Sequence, residues 1–198
     1  MITRFHLLFI GLVFTVISTT IAQQQQMFIL TAYGGLFFPA NVDFKDTYKS
    51  SSDLIYGFGV CLPLESSLFL IGEFGVFQSQ AFLNTPNDSS LSLDERFWHA
   101  GLMAKQPLTR SMFLCISGGL NLVSVKQTTS SASVPEQSIE ATKKIGYFGS
   151  AGLEYYVPDT HISYFGDMTY DYRRVRDKEL LGDFGGVRIV VGIHLYMY

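Results

Sequence analysis

One stretch, Ile145 to Tyr172, restricts what this chain can fold into more than any other. Its first half reads I-G-Y-F-G-S-A-G-L-E-Y-Y-V, Pro158-Asp159-Thr160 follows, and the second half reads H-I-S-Y-F-G-D-M-T-Y-D-Y. Two alternating runs about a Pro-Asp turn are the sequence form of a β-hairpin. Successive side chains of a strand point to opposite sides, so the two faces can be read separately. One carries Gly149, Ala151, Leu153, Tyr155 and Val157, answered by Ile162, Tyr164, Met168, Tyr170 and Tyr172. The other carries Phe148, Ser150, Gly152 and Glu154, answered by Ser163, Phe165, Asp167, Thr169 and Asp171. A largely apolar face backed by a small, polar, acidic one is what a membrane-spanning strand needs, with lipid outside and a narrow lumen inside.

The same division runs through the rest of the chain. Eight segments have strand character: 27–39, 54–62, 68–79, 96–106, 112–126, 145–157, 161–173 and 184–198. Most exceed the ~9–11 residues that cross a bilayer at a tilt. Their connections alternate: Asn41–Asp53, Ala81–Glu95, Gln127–Lys144 and Arg174–Asp183 are long, while Pro63–Ser67, Pro107–Ser111 and Pro158–Thr160 are short. Long loops at one end and tight turns at the other are the layout of outer-membrane barrels. The expected fold is therefore all-β, an eight-stranded antiparallel up-and-down transmembrane barrel. A secreted soluble sandwich is the alternative, but its wet faces would carry Lys, Glu and Thr rather than glycines such as Gly57, Gly59, Gly75, Gly101 and Gly119. Glycine suits a lumen barely wide enough for side chains.

The first 22 residues stand apart from the barrel. Arg4, the apolar run Leu7–Ile17 and the small-residue site Thr20-Ile21-Ala22 form a signal-peptide pattern, which leaves residues 23–198 as the barrel domain. That apolar run falls short of the ~18 residues a spanning helix needs. A net charge of −3 without a basic stripe excludes nucleic acid as a partner, and charged residues are only 16% of the chain, which leaves little surface built for water. Cys61 and Cys115 have no metal-ligand spacing. They fall on the second and fifth strands, too far apart for a disulfide, and are expected to stay unpaired.

Taken with S-A-G-L-E-Y-Y (Ser150–Tyr156), the short turn, the strand from Gly166 to Tyr172 and the closing V-V-G-I-H-L-Y-M-Y, the mature chain resembles the OmpA-like and OmpX-like eight-stranded outer-membrane barrels. The resemblance implies a location in the outer membrane of a Gram-negative bacterium. It also implies contact with outer-membrane lipid and lipopolysaccharide, insertion by the barrel-assembly machinery, and a monomer. It departs from the group at Gly166-Asp167-Met168-Thr169-Tyr170, where an acidic-aromatic-basic-aromatic run is common. It departs again at the end, where Tyr196 and Tyr198 fall on the inward face. No peptidoglycan-binding domain follows in the sequence.

Candidate sites are sparse. Glu73, His99, Glu154, Asp167 and Arg188 are expected to form a polar network in the lumen, with Asp167 and Arg188 paired across the last hairpin; the alternative is a hydrated Asp167 with Arg188 reaching up to the loops. Arg173, Arg174, Arg176 and Lys178 open the last long loop and either meet lipopolysaccharide phosphates or form an ordinary solvated loop tip. His99, Glu73 and Asp167 carry no ligand spacing, so no metal is expected, and no cofactor is called for. His161-x-Ser163 resembles the His-x-Ser pair of lipid A deacylase barrels, yet it adjoins a short turn, at the wrong end for lipid A. Asn87-Asp88-Ser89 matches a glycosylation sequon by chance. Tyr56, Trp98, Tyr155, Tyr156, Tyr170 and Tyr172 suit interfacial girdles. The reading is a structural or surface-interaction role without catalysis. A carrier of small hydrophobic molecules is the alternative, and a lipid A-modifying enzyme comes third.

Overall fold

The computed structural model describes residues 28–40, 52–83, 89–131, 134–176, 181–183 and 185–197. The signal-peptide segment, Lys178 and the Asn87 sequon lie outside them. Side chains alternate along most of each strand, with register shifts near Pro63, Val123 and Thr129, and the strands close on themselves with the apolar side outward. The long strands are β1 (Phe28–Pro39), β2 (Asp53–Glu65), β3 (Leu68–Leu83), β4 (Ser89–Pro107), β5 (Met112–Ser131), β6 (Val134–Tyr156) and β7 (Ile162–Tyr172). A short ribbon of β8 (Arg174–Arg176) and β9 (Leu181–Asp183) precedes β10 (Gly186–Met197). Around the barrel the order is β1-β10-β7-β6-β5-β4-β3-β2, every neighbouring pair is antiparallel, and β1 meets β10 from Phe28↔Met197 to Pro39↔Gly186. The eight-stranded antiparallel barrel expected from the alternation is the observed fold.

The outward face is a belt of exposed apolar side chains, among them Leu30, Phe58, Leu102, Ile116, Met168 and Val191. Water would not tolerate so continuous a patch, whereas lipid does. Tyr56, Trp98, Tyr155 and Tyr170 are exposed on it, and Tyr172 stacks on Tyr147 with ring centroids 4.8 Å apart. Tyr156 differs from the girdle expectation. It is in phase with the inward residues, donates its hydroxyl to the Thr160 carbonyl, and meets Tyr196 edge-on at 5.6 Å.

The strands also run further than their sequence suggests. The β3–β4 hairpin pairs out to Leu83↔Ser89 and the β5–β6 hairpin out to Ser131↔Val134, so much of Ala81–Glu95 and Gln127–Lys144 is strand rather than loop. Polar outward residues had marked these stretches as loops. Their inward positions Ala81, Leu91 and Leu93 are nonetheless buried, Ile139 packs against the same cluster, and that alternation continues the sheet above the apolar belt. At the other end the connections are tight. Asp159, with φ of 61°, takes the left-handed conformation in the β6–β7 turn, a conformation Asp tolerates better than most residues.

The inward glycines are there for clearance. Gly57 and Gly75 face each other on β2 and β3. A Cβ on Gly57 would run into the Tyr33 ring, and one on Gly75 into the Phe97 ring. Gly101 and Gly119 face each other on β4 and β5, where a Cβ on either would strike the opposite backbone. Glycine's loss of strand stability is offset by room for neighbouring aromatic rings.

Cys61 and Cys115 are both buried and free. Alkylation of the unreduced, denatured protein should therefore add two labels per chain, and intact mass spectrometry showing none would mean the strand facing is wrong. A closed barrel also resists detergent, because its backbone pairs leave no edge to attack. Unboiled and boiled samples should migrate differently on a denaturing gel, and equal mobility would count against the barrel.

Candidate functional site

A lumen enclosed by eight strands is just wide enough for side chains to fill, so every inward residue must pack and every inward charge must find a partner. The inward residues divide into two apolar clusters and two charged groups. Toward the loop end, Phe37, Phe77, Phe97, Leu93 and Val125 belong to one apolar cluster. Toward the turn end, Ile29, Phe69, Ile71, Met103 and Phe148 belong to the other. The expectation of a small, polar lumen is corrected to this extent: more of the buried residues are aromatic or aliphatic than polar.

The upper charged group centres on Asp171, which is wholly buried. One of its carboxylate oxygens lies 2.8 Å from His99 Nε2 and 3.2 Å from Asn121 Nδ2, while the other lies 2.8 Å from Arg173 Nη2. Arg173 also donates to Glu95, and its guanidinium lies over Phe97 at 4.3 Å and Phe37 at 5.3 Å. Arg188 donates from Nη2 to Glu73 at 3.0 Å and from Nη1 to the Tyr33 hydroxyl at 3.1 Å. His99 completes the group: its Nδ1 lies 3.3 Å from Glu73, and its ring stacks on Phe148 at 4.3 Å. Each ion is thus held by an opposite charge and enclosed by rings, which a desolvated charge requires.

The lower group centres on Glu154. Lys105 Nζ approaches it at 2.6 Å, the Ser163 hydroxyl donates to it at 2.5 Å, the Tyr196 hydroxyl also donates, and His194 Nδ1 lies 3.2 Å away. Lys105 sits over the Phe69 ring at 5.1 Å as well. The inward position of Tyr196, read from its phase in the last strand, gives that hydroxyl its partner.

Of the five residues expected to form one network, Glu73, His99 and Arg188 come together. Glu154 belongs to the lower group, and Asp167 touches neither group's cations. The direct Asp167–Arg188 pair does not form. Asp167 faces Val190 and Arg188 faces Thr169, so the two acidic residues Asp171 and Glu73 take the guanidinium instead. Arg173 is not a loop-tip cation free to meet lipopolysaccharide: it is 1% exposed and turned into the lumen. It keeps the phase of Asp171, and the inward face continues one residue past the strand end. The side chains of Arg174 and Arg176 lie outside the described residues. The sequence reading missed Glu95, Lys105, Asp171, Ser163 and His194 as members of these groups. Their in-phase positions were the available signal, since Glu95 shares the face of His99 and Asp171 that of Asp167.

His161 and Ser163 make no catalytic pair. Ser163 is completely buried against Glu154, while His161 is exposed in the turn. Among the described residues no group of three or more His, Cys, Asp or Glu is placed to hold a metal ion.

Solved structures share this arrangement of strands. The chain is similar to Ail, the attachment invasion locus protein of Yersinia pestis, at 15% identity over 88% of this chain and 100% of that one, with a TM-score of 0.54. It is similar to the outer membrane protein OprG of Pseudomonas aeruginosa at 12% identity over 87% and 96% of the two chains, with a TM-score of 0.59. Neisserial surface protein A matches at 8% identity over 85% and 96%, with a TM-score of 0.56. Its fold is that of the small outer-membrane barrels. At these identities the likeness speaks for the fold alone. No family model matches the chain, and no curated protein matches it.

Removing Arg173 leaves Glu95 without its cation and takes one from Asp171. Arg173→Met should therefore destabilise the refolded barrel by about 3–5 kcal/mol, and adding Glu95→Leu should recover a large part of that loss. Urea unfolding in detergent measures both. A single-variant loss below about 1 kcal/mol, the range of an exposed pair, would mean that Arg173 is solvated.

Proposed function

We propose that this protein sits in the outer membrane of a Gram-negative bacterium as a closed, non-catalytic barrel that supports the envelope and meets its surroundings through its loop end. The observation that carries the reading is a lumen blocked by side chains at two levels. Arg173 and Glu95 among Phe37, Phe77 and Phe97 stand across one level, and Lys105, Glu154 and Tyr196 stand across another. A carrier of small hydrophobic molecules needs a passage past both levels, so the carrier reading is the weaker one. An enzyme needs a nucleophile or base that substrate can reach, and Ser163 is held by Glu154 away from solvent. The extended β3–β4 and β5–β6 hairpins support an outward-facing role, since they lift polar positions such as Gln78, Asp94 and Lys126 above the apolar belt. The partners follow from the location: outer-membrane lipid and lipopolysaccharide around the belt, the barrel-assembly machinery during insertion, and no second copy.

Three measurements test this. After envelope fractionation the protein should be recovered with the outer membrane, and recovery in the soluble fraction would reject the location. Proteoliposomes should swell in sugar solutions no faster than empty liposomes, and rapid swelling would reject the closed lumen in favour of a channel. The lipid A mass spectrum of cells producing the protein should match that of cells lacking it; a new species would reject the non-catalytic reading.

A further inference from the structure

Between the two charged groups the lumen is incompletely filled. A cavity of about 40 Å³ lies there, with Asp167, Ser117, Ser150, Cys115, Arg188 and His194 among its lining residues. Asp167 differs from the other lumen acids. Glu73, Glu95 and Asp171 each meet an arginine, and Glu154 meets Lys105. Among the described residues no cation lies within ion-pair distance of Asp167. Its carboxylate takes the Thr169 hydroxyl at 2.5 Å and the Ser150 hydroxyl, and Ser150 is in turn 2.7 Å from Ser117.

Two hydroxyls leave part of a carboxylate's hydrogen-bonding capacity unused, since it offers about four acceptor sites. Asp167 is half-buried, so the rest of its carboxylate faces open space in the lumen rather than packed atoms, and an ionised acid held there needs something to solvate it. The local geometry keeps room for a solvating group. Gly152 lies directly across from Asp167, and a Cβ there would come within 3.0 Å of Asp167 Oδ2. The cavity exceeds the roughly 10–15 Å³ that one water needs, and its walls supply the two to four polar partners such a water requires.

We propose that this cavity is a structural water site: ordered water, hydrogen-bonded to the Asp167 carboxylate, gives that acid the solvation which arginine or lysine gives the others. The water also lies within reach of Ser117 and of Arg188, which is diagonal to Asp167 across the β7–β10 pair. A hydrated pocket thus separates the upper and lower charged groups, and Asp167 stays in the lumen without a salt bridge.

The proposal is tested on the full barrel in detergent. A crystal structure fine enough to place solvent should show water at hydrogen-bonding distance from Asp167. A dry cavity, a rubidium anomalous peak in its place, or direct contact between Asp167 and Arg188 would each overturn the proposal. A thermodynamic cycle gives a second reading. Ser117→Leu fills the space, so with Asp167 present it should lower the folding equilibrium constant by about tenfold or more. In an Asp167→Asn background the same change should cost roughly threefold or less. Should the leucine variant not fold, Ser117→Val serves in the same cycle. Equal effects in both backgrounds, or stabilisation by leucine in either, would mark a dry cavity and sink the idea.

Discussion

Everything in this molecule depends on the pairing of β1 with β10. Lipid supplies no hydrogen bonds to a strand edge, so a sheet in a membrane must close, and here the first and last strands run antiparallel along twelve paired positions. Closure with eight strands fixes the width of the lumen, and that width decides what each inward residue can be. Where rings fill the centre, the wall must recede, and the facing glycines Gly57 and Gly75 do so against Tyr33 and Phe97. Where two backbones approach closely, Gly101 and Gly119 meet without side chains. The sequence alternation and the narrow lumen are thus two consequences of one constraint.

Charge inside so narrow a space follows its own logic. A buried ion pair gains little net stability over well-packed apolar residues, yet losing one partner is severe. The value of the Asp171 and Glu154 groups is therefore better sought in specificity. Asp171 on β7 ties Arg173 just beyond that strand to His99 and Asn121 on β4 and β5, while Glu154 on β6 ties β4, β7 and β10 together. Because side chains alternate with period two, a slip of one residue in any of these strands would turn its charged residue out into lipid. The two hubs penalise such slips in strands that are otherwise a repetitive apolar pattern.

How much of this was legible depended on range. Face, strand number and turn end are properties of adjacent residues, so the pattern Gly149-x-Ala151-x-Leu153-x-Tyr155 was enough to read them. Partner choice is set by register between strands. Placing Arg188 against Asp167 required knowing that Asp167 faces Val190, and no local feature of either strand specifies that. Arg173 was misplaced because it sits beside Arg174 and Arg176 in a cationic run, while its phase with Asp171 was the better guide. The long hairpins were taken for loops because Gln127–Lys144 is rich in Ser and Thr, residues that suit a sheet wet on its outer face as well as a loop.

The division of labour among surfaces says where selection for function has freedom to act. The outward belt answers to lipid and the lumen answers to packing and charge pairing, so neither can vary widely without loss of the barrel. Above the belt these demands separate. Inward positions such as Leu91 and Leu93 still serve the core, but outward positions on the same strands touch neither lipid nor lumen. There Gln78 donates to Asp94 at 3.0 Å, and Asp94 holds Arg96 at 3.1 Å, with Arg96 largely exposed to water. Such exposed pairs contribute little to stability. A surface that the fold does not need can vary without disturbing the barrel beneath it.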